Sequence, residues 1–302
     1  MSRRRPADHL PAPRPPAGDR RPPRIALAGL GRAGSALAVA LAGEAGWKVV
    51  AWDRRPARVA ALARRVPVER VAGPGELLRA APWLLLAVRD EALAEFAGRL
   101  AELAGGGRSP RVVLHLAGAL PSTVLAPLRR GERPALGVFH PVVSLAGPAS
   151  AGALAGSFAT VSGDPAAVRV ARRIARALGM RALPVDDARR PLLHAGAVMA
   201  AGDLVALLAG AEQLLGEAGI PPHRARRLLV TLARSALDNL LARGPRGALT
   251  GPAARGDRET IRRHLEAIAR TPGLDPRLAD LHRLLLELSR DLLETPPAPR
   301  RR

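Results

Sequence analysis

Short apolar runs alternate with helix-like segments through the first part of the chain. Runs over 25–28, 47–53, 66–71, 83–88, 112–116, 136–139, 158–161 and 182–185 fit buried strands. The segments after residue 34 and over 56–65, 76–80, 91–104, 121–128 and 165–178 fit helices. Such alternation predicts an α/β domain with a doubly wound parallel sheet. From residue 186 the strand signals vanish. A helical pattern runs over 189–218 and stops at Gly219; Pro221-Pro222 opens a second that closes near Gly244. Asp257 reads as the N-cap of a helix over 258–270, and Pro276 opens a last one to about residue 294. The expected organisation is a sheet domain over 24–185 and an all-helical domain over 186–295. Pro- and Arg-rich tails over 1–23 and 296–302 lack any periodicity and read as disordered. The most apolar stretch, 195–211, is interrupted by Asp203. It falls short of the roughly 20 residues of a bilayer span, so it reads as a buried helix.

The first apolar run leads straight into Gly29-Leu30-Gly31-Arg32-Ala33-Gly34, then a helix-compatible segment, then a second run ending on Asp53. Strand, glycines, helix, strand and terminal acid form the context of a dinucleotide-binding turn in a Rossmann unit. Gly29 permits the tight turn, Gly31 admits a pyrophosphate to bare backbone, and Gly34 lets helix and strand approach. The helix N-terminus offers free N–H groups to the phosphates. An acid such as Asp53 at the end of the second strand suits the ribose hydroxyls of NAD. Arg54 and Arg55 suit the 2′-phosphate of NADP instead, so both cofactors stay open, with a lean to NADP. Ligands in such sheets bind at the carboxyl ends of the strands. That brings Val88 and Arg89, His115 and Gly118, and His140 towards one crevice.

The net charge of +21 raises nucleic acid as a partner. The basic residues are arginines except Lys48, spread along the chain and dense in the tails, as a GC-rich coding composition would give. With three Trp, three Phe and no Tyr, a base-stacking platform is nearly absent. No dedicated nucleic-acid role and no membrane role is expected. The N-terminus lacks the continuous apolar segment of a secretory signal, so a cytoplasmic protein is the default reading. The absence of Cys excludes disulfides, thiolate nucleophiles and cysteine metal sites, and no metal is expected.

The missing residue types narrow the chemistry further. Without Tyr or Cys, and with a single lysine inside a strand, the remaining candidates for proton donor or oxyanion stabiliser are histidines, with Thr250, Asp203 and Arg255 behind them. His194 lies near the start of the long helix of the second domain, and His140 precedes Pro141 at a strand end. Either could move a proton near neutral pH, and either could be structural. His223, His264 and His282 sit among arginines and read as solvated. Asp203, inside an apolar run, requires a partner, a proton or an interface. In the punctuated connection over 248–257, Thr250 and Arg255 could hold a substrate carboxylate or phosphate.

These motifs occur in one order: the glycine turn, His115-Leu116-Ala117-Gly118-Ala119, His140-Pro141, His194-Ala195, and Leu249-Thr250-Gly251-Pro252-Ala253-Ala254-Arg255-Gly256-Asp257. Together they resemble bacterial proteins in which a Rossmann-like domain precedes the domain of unknown function numbered 2520. The likeness covers about residues 24–268. The family is similar in architecture to 6-phosphogluconate dehydrogenase, ketopantoate reductase and pyrroline-carboxylate reductase. The resemblance implies an NAD(P)-dependent oxidoreductase with a helical C-terminal domain, His194 standing near the place of the catalytic lysine in lysine-dependent relatives. It also implies pairing of two copies through helical domains. Ala117, Leu193 and Gly202 stand where members often carry Ser, Tyr and Asn. The resulting expectation is hydride transfer between a nicotinamide cofactor and a small carboxylated keto, imino, hydroxy or amino acid; the alternative is a non-catalytic dinucleotide-binding sensor or assembly protein.

Overall fold

The computed structural model describes residues 22–105 and 109–295. The expected tails over 1–23 and 296–302, apart from Pro22 and Pro23, and residues 106–108 at the glycine break lie outside the described residues. The structure divides into two compact units between Ala197 and Val198.

The first unit is built on one eight-stranded sheet: β1 (Arg24–Ala28), β2 (Lys48–Trp52), β3 (Val68–Arg70), β4 (Trp83–Leu86), β5 (Val112–His115), β6 (Ala135–Val142), β7 (Phe158–Gly163) and β8 (Arg181–Pro184). Their order is β3-β2-β1-β4-β5-β6-β7-β8. The central strands are near-continuous apolar runs because helices cover both of their faces. Ile25, Leu27, Leu85 and Leu114 pack into one core layer with α1 (Arg32–Val39) and α5 (Pro165–Ala177). Ala26, Ala28, Leu84, Leu86 and Val113 pack into the other with α3 (Pro74–Ala80) and α4 (Asp90–Leu103). Between β2 and β3 lies α2 (Pro56–Ala63).

The expected all-parallel arrangement needs one correction. β7 runs antiparallel to β6, with His140 opposite Thr160, while the other neighbouring pairs are parallel. A parallel return needs a crossover, usually an α-helix. Between β6 and β7 there is only the short 3₁₀ segment Pro148–Leu154. The arginines also gather more than expected at one place. Arg169, Arg172, Arg173 and Arg176 recur at helical spacing on the outer face of α5.

After β8 a 3₁₀ turn, Asp187–Arg189, opens α6 (Arg190–Val198), which continues through a π-helical turn (Met199–Asp203) into α7 (Leu204–Glu217). The second unit adds α8 (Pro222–Ala248), α9 (Gly251–Arg255), α10 (Arg258–Arg270) and α11 (Arg277–Glu294). α8 is kinked at Gly244, whose φ of 71° is followed by Pro245. The segment expected as a plain connection before Asp257 contains a short helix, closed by Gly256 in the left-handed region. Asp257 caps α10 as expected, accepting from the Thr260 N–H at 3.0 Å and its hydroxyl at 2.7 Å.

The apolar stretch around 195–211 is helical but not buried, contrary to the sequence expectation. The helical backbone Asp187–Glu217 holds an 18-residue window of mean hydropathy 1.8 with none of it buried. Leu192, Met199 and Val205 are 79%, 66% and 67% exposed. Apolar composition demands cover, but it does not say that the same chain provides it. By length and composition alone the helix would suffice to cross a membrane.

Candidate functional site

The order β3-β2-β1-β4 reverses direction between β1 and β4, and the glycine turn lies at that reversal. Gly29 follows β1 with φ of 91°, and a Cβ there would stand 2.6 Å from the Ala87 carbonyl oxygen after β4. A Cβ on Gly34 would stand 2.0 Å from the Gly29 oxygen, so α1 approaches the turn as only glycine permits. Gly31 differs: among the described residues nothing lies within 4 Å of its hypothetical Cβ. Internal packing therefore does not require glycine there, whereas close approach of a ligand to the backbone would. The first N–H groups of α1, around Arg32, Ala33 and Gly34, have no intrahelical acceptor and suit an anion. Val88 is half-buried beside the turn region after β4, and the exposed Arg89 pairs with Glu91 at 2.8 Å.

Asp53 is placed at the end of β2 but turned to an internal task. It is 6% exposed. One carboxylate oxygen accepts from the Leu30 N–H at 2.7 Å, the other from the Arg55 N–H at 2.8 Å, and Arg58 stands 3.5 Å away. The acid thus ties the glycine turn to the second strand. The side chains of Arg32, Arg54 and Arg55 are exposed.

A second group of side chains meets at the ends of β5 and β6. Gly118 is the meeting point. A Cβ there would lie 2.3 Å from His194 Nδ1 and 2.8 Å from His140 Cε1. The two imidazoles stand edge to face with centroids 5.6 Å apart. His140 Nδ1 donates to the Leu116 carbonyl at 2.7 Å, which leaves Nε2 as the acceptor nitrogen of the neutral ring. Burial pushes the His140 pKa below its ordinary value, and the charges of His194 and Arg190 add to this against the Leu116 carbonyl. His194 Nδ1 is buried without a hydrogen-bond partner among the described residues.

His115 is fully buried rather than lining a crevice. Its Nε2 donates to the Pro121 carbonyl at 3.1 Å, so the ring shapes the following turn from inside. Burial pushes its pKa down to about 4. The folded protein therefore holds this ring neutral in a range where the unfolded chain, with an ordinary value near 6.5, takes up a proton. The stability it contributes is intact above about pH 6.5 and drains away as pH falls towards 4, by up to about 3 kcal/mol. Urea unfolding midpoints should fall over that interval, and fall less in His115→Gln. Parallel curves for the two proteins would contradict the buried, neutral ring.

Sequence reasoning missed four residues that hold this cluster. The Arg190 side chain is fully buried; it donates to Ser162 Oγ through Nε at 2.9 Å and through its terminal nitrogen at 2.6 Å, and to Asp187 at 3.0 Å. Asp187 accepts from the Ser122 N–H at 2.8 Å and its hydroxyl at 2.6 Å. Burial would raise the Asp187 carboxyl, but hydrogen bonds from Ser122, Ser162 and Arg190 outweigh it and hold it below the usual range. In a chain so rich in arginine, no spacing singles out Arg190. The remaining sequence candidates belong to the second unit. Thr250 caps α9 by backbone conformation without a side-chain hydrogen bond, and Arg255 and Asp203 are exposed. His264 and His282 are not simply solvated: with centroids 5.7 Å apart they line a mainly apolar cavity of about 560 Å³ with Leu207, Leu214, Ile268 and Leu278. Among the described residues no group of three or more His, Cys, Asp or Glu could hold a metal.

Two family models match in succession, a Rossmann-like domain over residues 12–141 and the domain of unknown function DUF2520 over 157–288. This is a Rossmann-like protein with a DUF2520 domain. No curated protein matches its sequence. Among solved structures, this DUF2520 protein is similar to a candidate NADP oxidoreductase from Bacteroides fragilis, at 24% identity and a TM-score of 0.72 over 89% of this chain and 98% of the other. It is similar to an imine reductase from Pseudomonas sp. at 17% identity and a TM-score of 0.63, covering 90% and 95%. A pyrroline-5-carboxylate reductase from Coxiella burnetii matches at 15% identity and a TM-score of 0.58, covering 89% and 97%. At these identities the likeness establishes a shared fold along nearly the whole chain.

Proposed function

We propose that this DUF2520 protein is an NADP-dependent reductase of a small carboxylated keto or imino compound. The observation that carries the cofactor choice is the engagement of Asp53. Its carboxylate already accepts from two backbone N–H groups of the chain itself, while Arg32, Arg54 and Arg55 remain exposed. A 2′-phosphate would meet cations there, beside an acid whose oxygens are already engaged by the chain. The solved structures of similar fold include proteins described as an NADP oxidoreductase and as imine and pyrroline-5-carboxylate reductases, which supports the same reading. The open backbone at Gly31 and the start of α1 fit a pyrophosphate. A bound nicotinamide dinucleotide would supply the hydride. His194, with His140 beside it, would hold the proton that a reduced carbonyl or imine requires.

The test is thermal stability with NADPH and with NADH. Ligand that binds only the folded state raises the melting temperature by mass action. NADPH should stabilise at lower concentration than NADH, and Arg54→Glu with Arg55→Glu should reverse that order. No shift with either nucleotide would end the reading. The resemblance implies polar types where Ala117, Leu193 and Gly202 stand, and their absence favours a second reading: dinucleotide binding without turnover. A panel of 2-keto acids and imines separates the two, because only the reductase oxidises NADPH.

The uncovered apolar helix further supports a homodimer formed through the helical unit. Leu232 and Leu241 on α8 are likewise 63% and 87% exposed. Light scattering should give twice the chain mass, and Leu241→Glu with Val205→Glu should shift it to the single-chain value. A single-chain mass for the unaltered protein would exclude pairing.

A further inference from the structure

We infer that Arg190 is a positioning residue that sets the His194 imidazole against Gly118 for proton transfer. The kinetic part of this inference rests on the reductase reading above; the geometric part does not.

The argument starts from α6. Arg190 is its first residue, and His194 is one turn further along the same face. Both side chains reach the same glycine. The Arg190 guanidinium points a terminal nitrogen at the Gly118 carbonyl, 3.4 Å away, and the His194 ring occupies the space a Gly118 Cβ would need. The other guanidinium nitrogens are anchored on Ser162 at the end of β7 and on Asp187. Asp187 in turn is anchored on Ser122 in the turn beyond Gly118. One planar fork therefore joins the helix that carries His194, the loop that carries Gly118 and the strand next to His140. Stability alone does not account for it. Burying a guanidinium is costly even beside a partly exposed carboxylate, and apolar replacements of buried ion pairs are often neutral or stabilising. What an apolar side chain would lose is the fixed geometry of the fork.

Nuclear magnetic resonance on the full chain tests this without any substrate. In the unaltered protein a Gly118 Hα to His194 ring contact should be visible. The charged and titratable groups around the pair are His115, His140, Arg190, Asp187 and Asp90. Arg190→Lys keeps the charge but not the fork; the Gly118–His194 contact should vanish while His140 continues to titrate low. Arg190→Met should lose the contact and also let the His140 titration move up. Should Arg190→Met fail to fold, Ser162→Ala removes the hydroxyl that two guanidinium N–H groups share and should weaken the contact in the same way. A contact that survives in both Arg190→Lys and Ser162→Ala overturns the inference. If NADPH turnover is found, these two variants should lower kcat by up to about 100-fold with KM for NADPH unchanged, the scale expected for a ~1 Å misplacement. A protein without turnover defeats the reductase reading and leaves the contact measurement to decide the role of Arg190 by itself.

Discussion

Gly34→Ala is expected to cost the protein several kcal/mol of stability and its dinucleotide site. Alanine is the better helix former by about 1 kcal/mol, so propensity alone predicts stabilisation. The packing opposes this. The new methyl would stand 2.0 Å from the Gly29 carbonyl oxygen and 3.0 Å from the Ala87 Cβ. The first of these is backbone in a turn that is itself pressed against the end of β4, so it has nowhere to move. Overpacking a well-filled interior costs about 1–3 kcal/mol and sometimes more, and the collision with main chain puts this case at the upper end. The clash therefore wins, and the melting temperature should fall by roughly 10 °C, given about 2–4 °C per kcal/mol for domains of this size. Gly31→Ala is the matched control. Its φ of −67° suits any residue, and its Cβ would meet no atom of the described residues within 4 Å. The free protein should melt as before, while stabilisation by NADPH should weaken or disappear. A Gly34→Ala protein that melts normally would refute the close packing of α1 on the turn. A Gly31→Ala protein that binds NADPH unchanged would refute the pyrophosphate's approach to that backbone.

The parts of this molecule that were legible in the sequence are those where local pattern and packing agree. β1, the glycine turn, β2 and β4 are apolar runs with clear punctuation, and a strand buried on both faces leaves little else they could be. The N-cap at Asp257 was legible because its chemistry is local, completed by Thr260 three residues on. The direction of β7 was not, since a buried strand carries the same pattern whichever way it runs. Nor was the exposure of the helix around Met199. An apolar run carries the same pattern whether the chain itself covers it or leaves it exposed. The dual engagement of Asp53 was hidden for a related reason: an acid at a strand end looks the same whether its oxygens face a ribose or the N–H groups of Leu30 and Arg55. His140, His194 and Gly118 are 22 or more residues apart in sequence. The strand-end rule already brings Gly118 and His140 towards one crevice; that His194 meets them there goes with the buried fork of Arg190, which no motif encodes.

That convergence makes His194→Ala the most damaging change expected for turnover. A positioned acid contributes typically 10²–10⁴-fold, about 3–5 kcal/mol of barrier, and the chain has no Tyr or Cys to replace it. Turnover should fall within that range while the nucleotide affinity stays near normal, because the glycine turn is separate from the Gly118 cluster. His140 is a poor substitute donor. Its Nδ1 proton is committed to the Leu116 carbonyl, and burial disfavours its protonated form. His140→Gln should accordingly cost less than His194→Ala, and its effect should appear mainly in the pH profile, since a neutral amide cannot share the pair's charge. Gly118→Ala provides an independent route to the same defect. Its methyl would displace the His194 ring without removing it, so the acid is present but out of place. If the double change Gly118→Ala with His194→Ala is no worse than His194→Ala alone, the methyl acts through that ring. If His194→Ala leaves turnover intact, the proton comes from elsewhere, and the histidine pair is a structural contact between α6 and the end of the sheet.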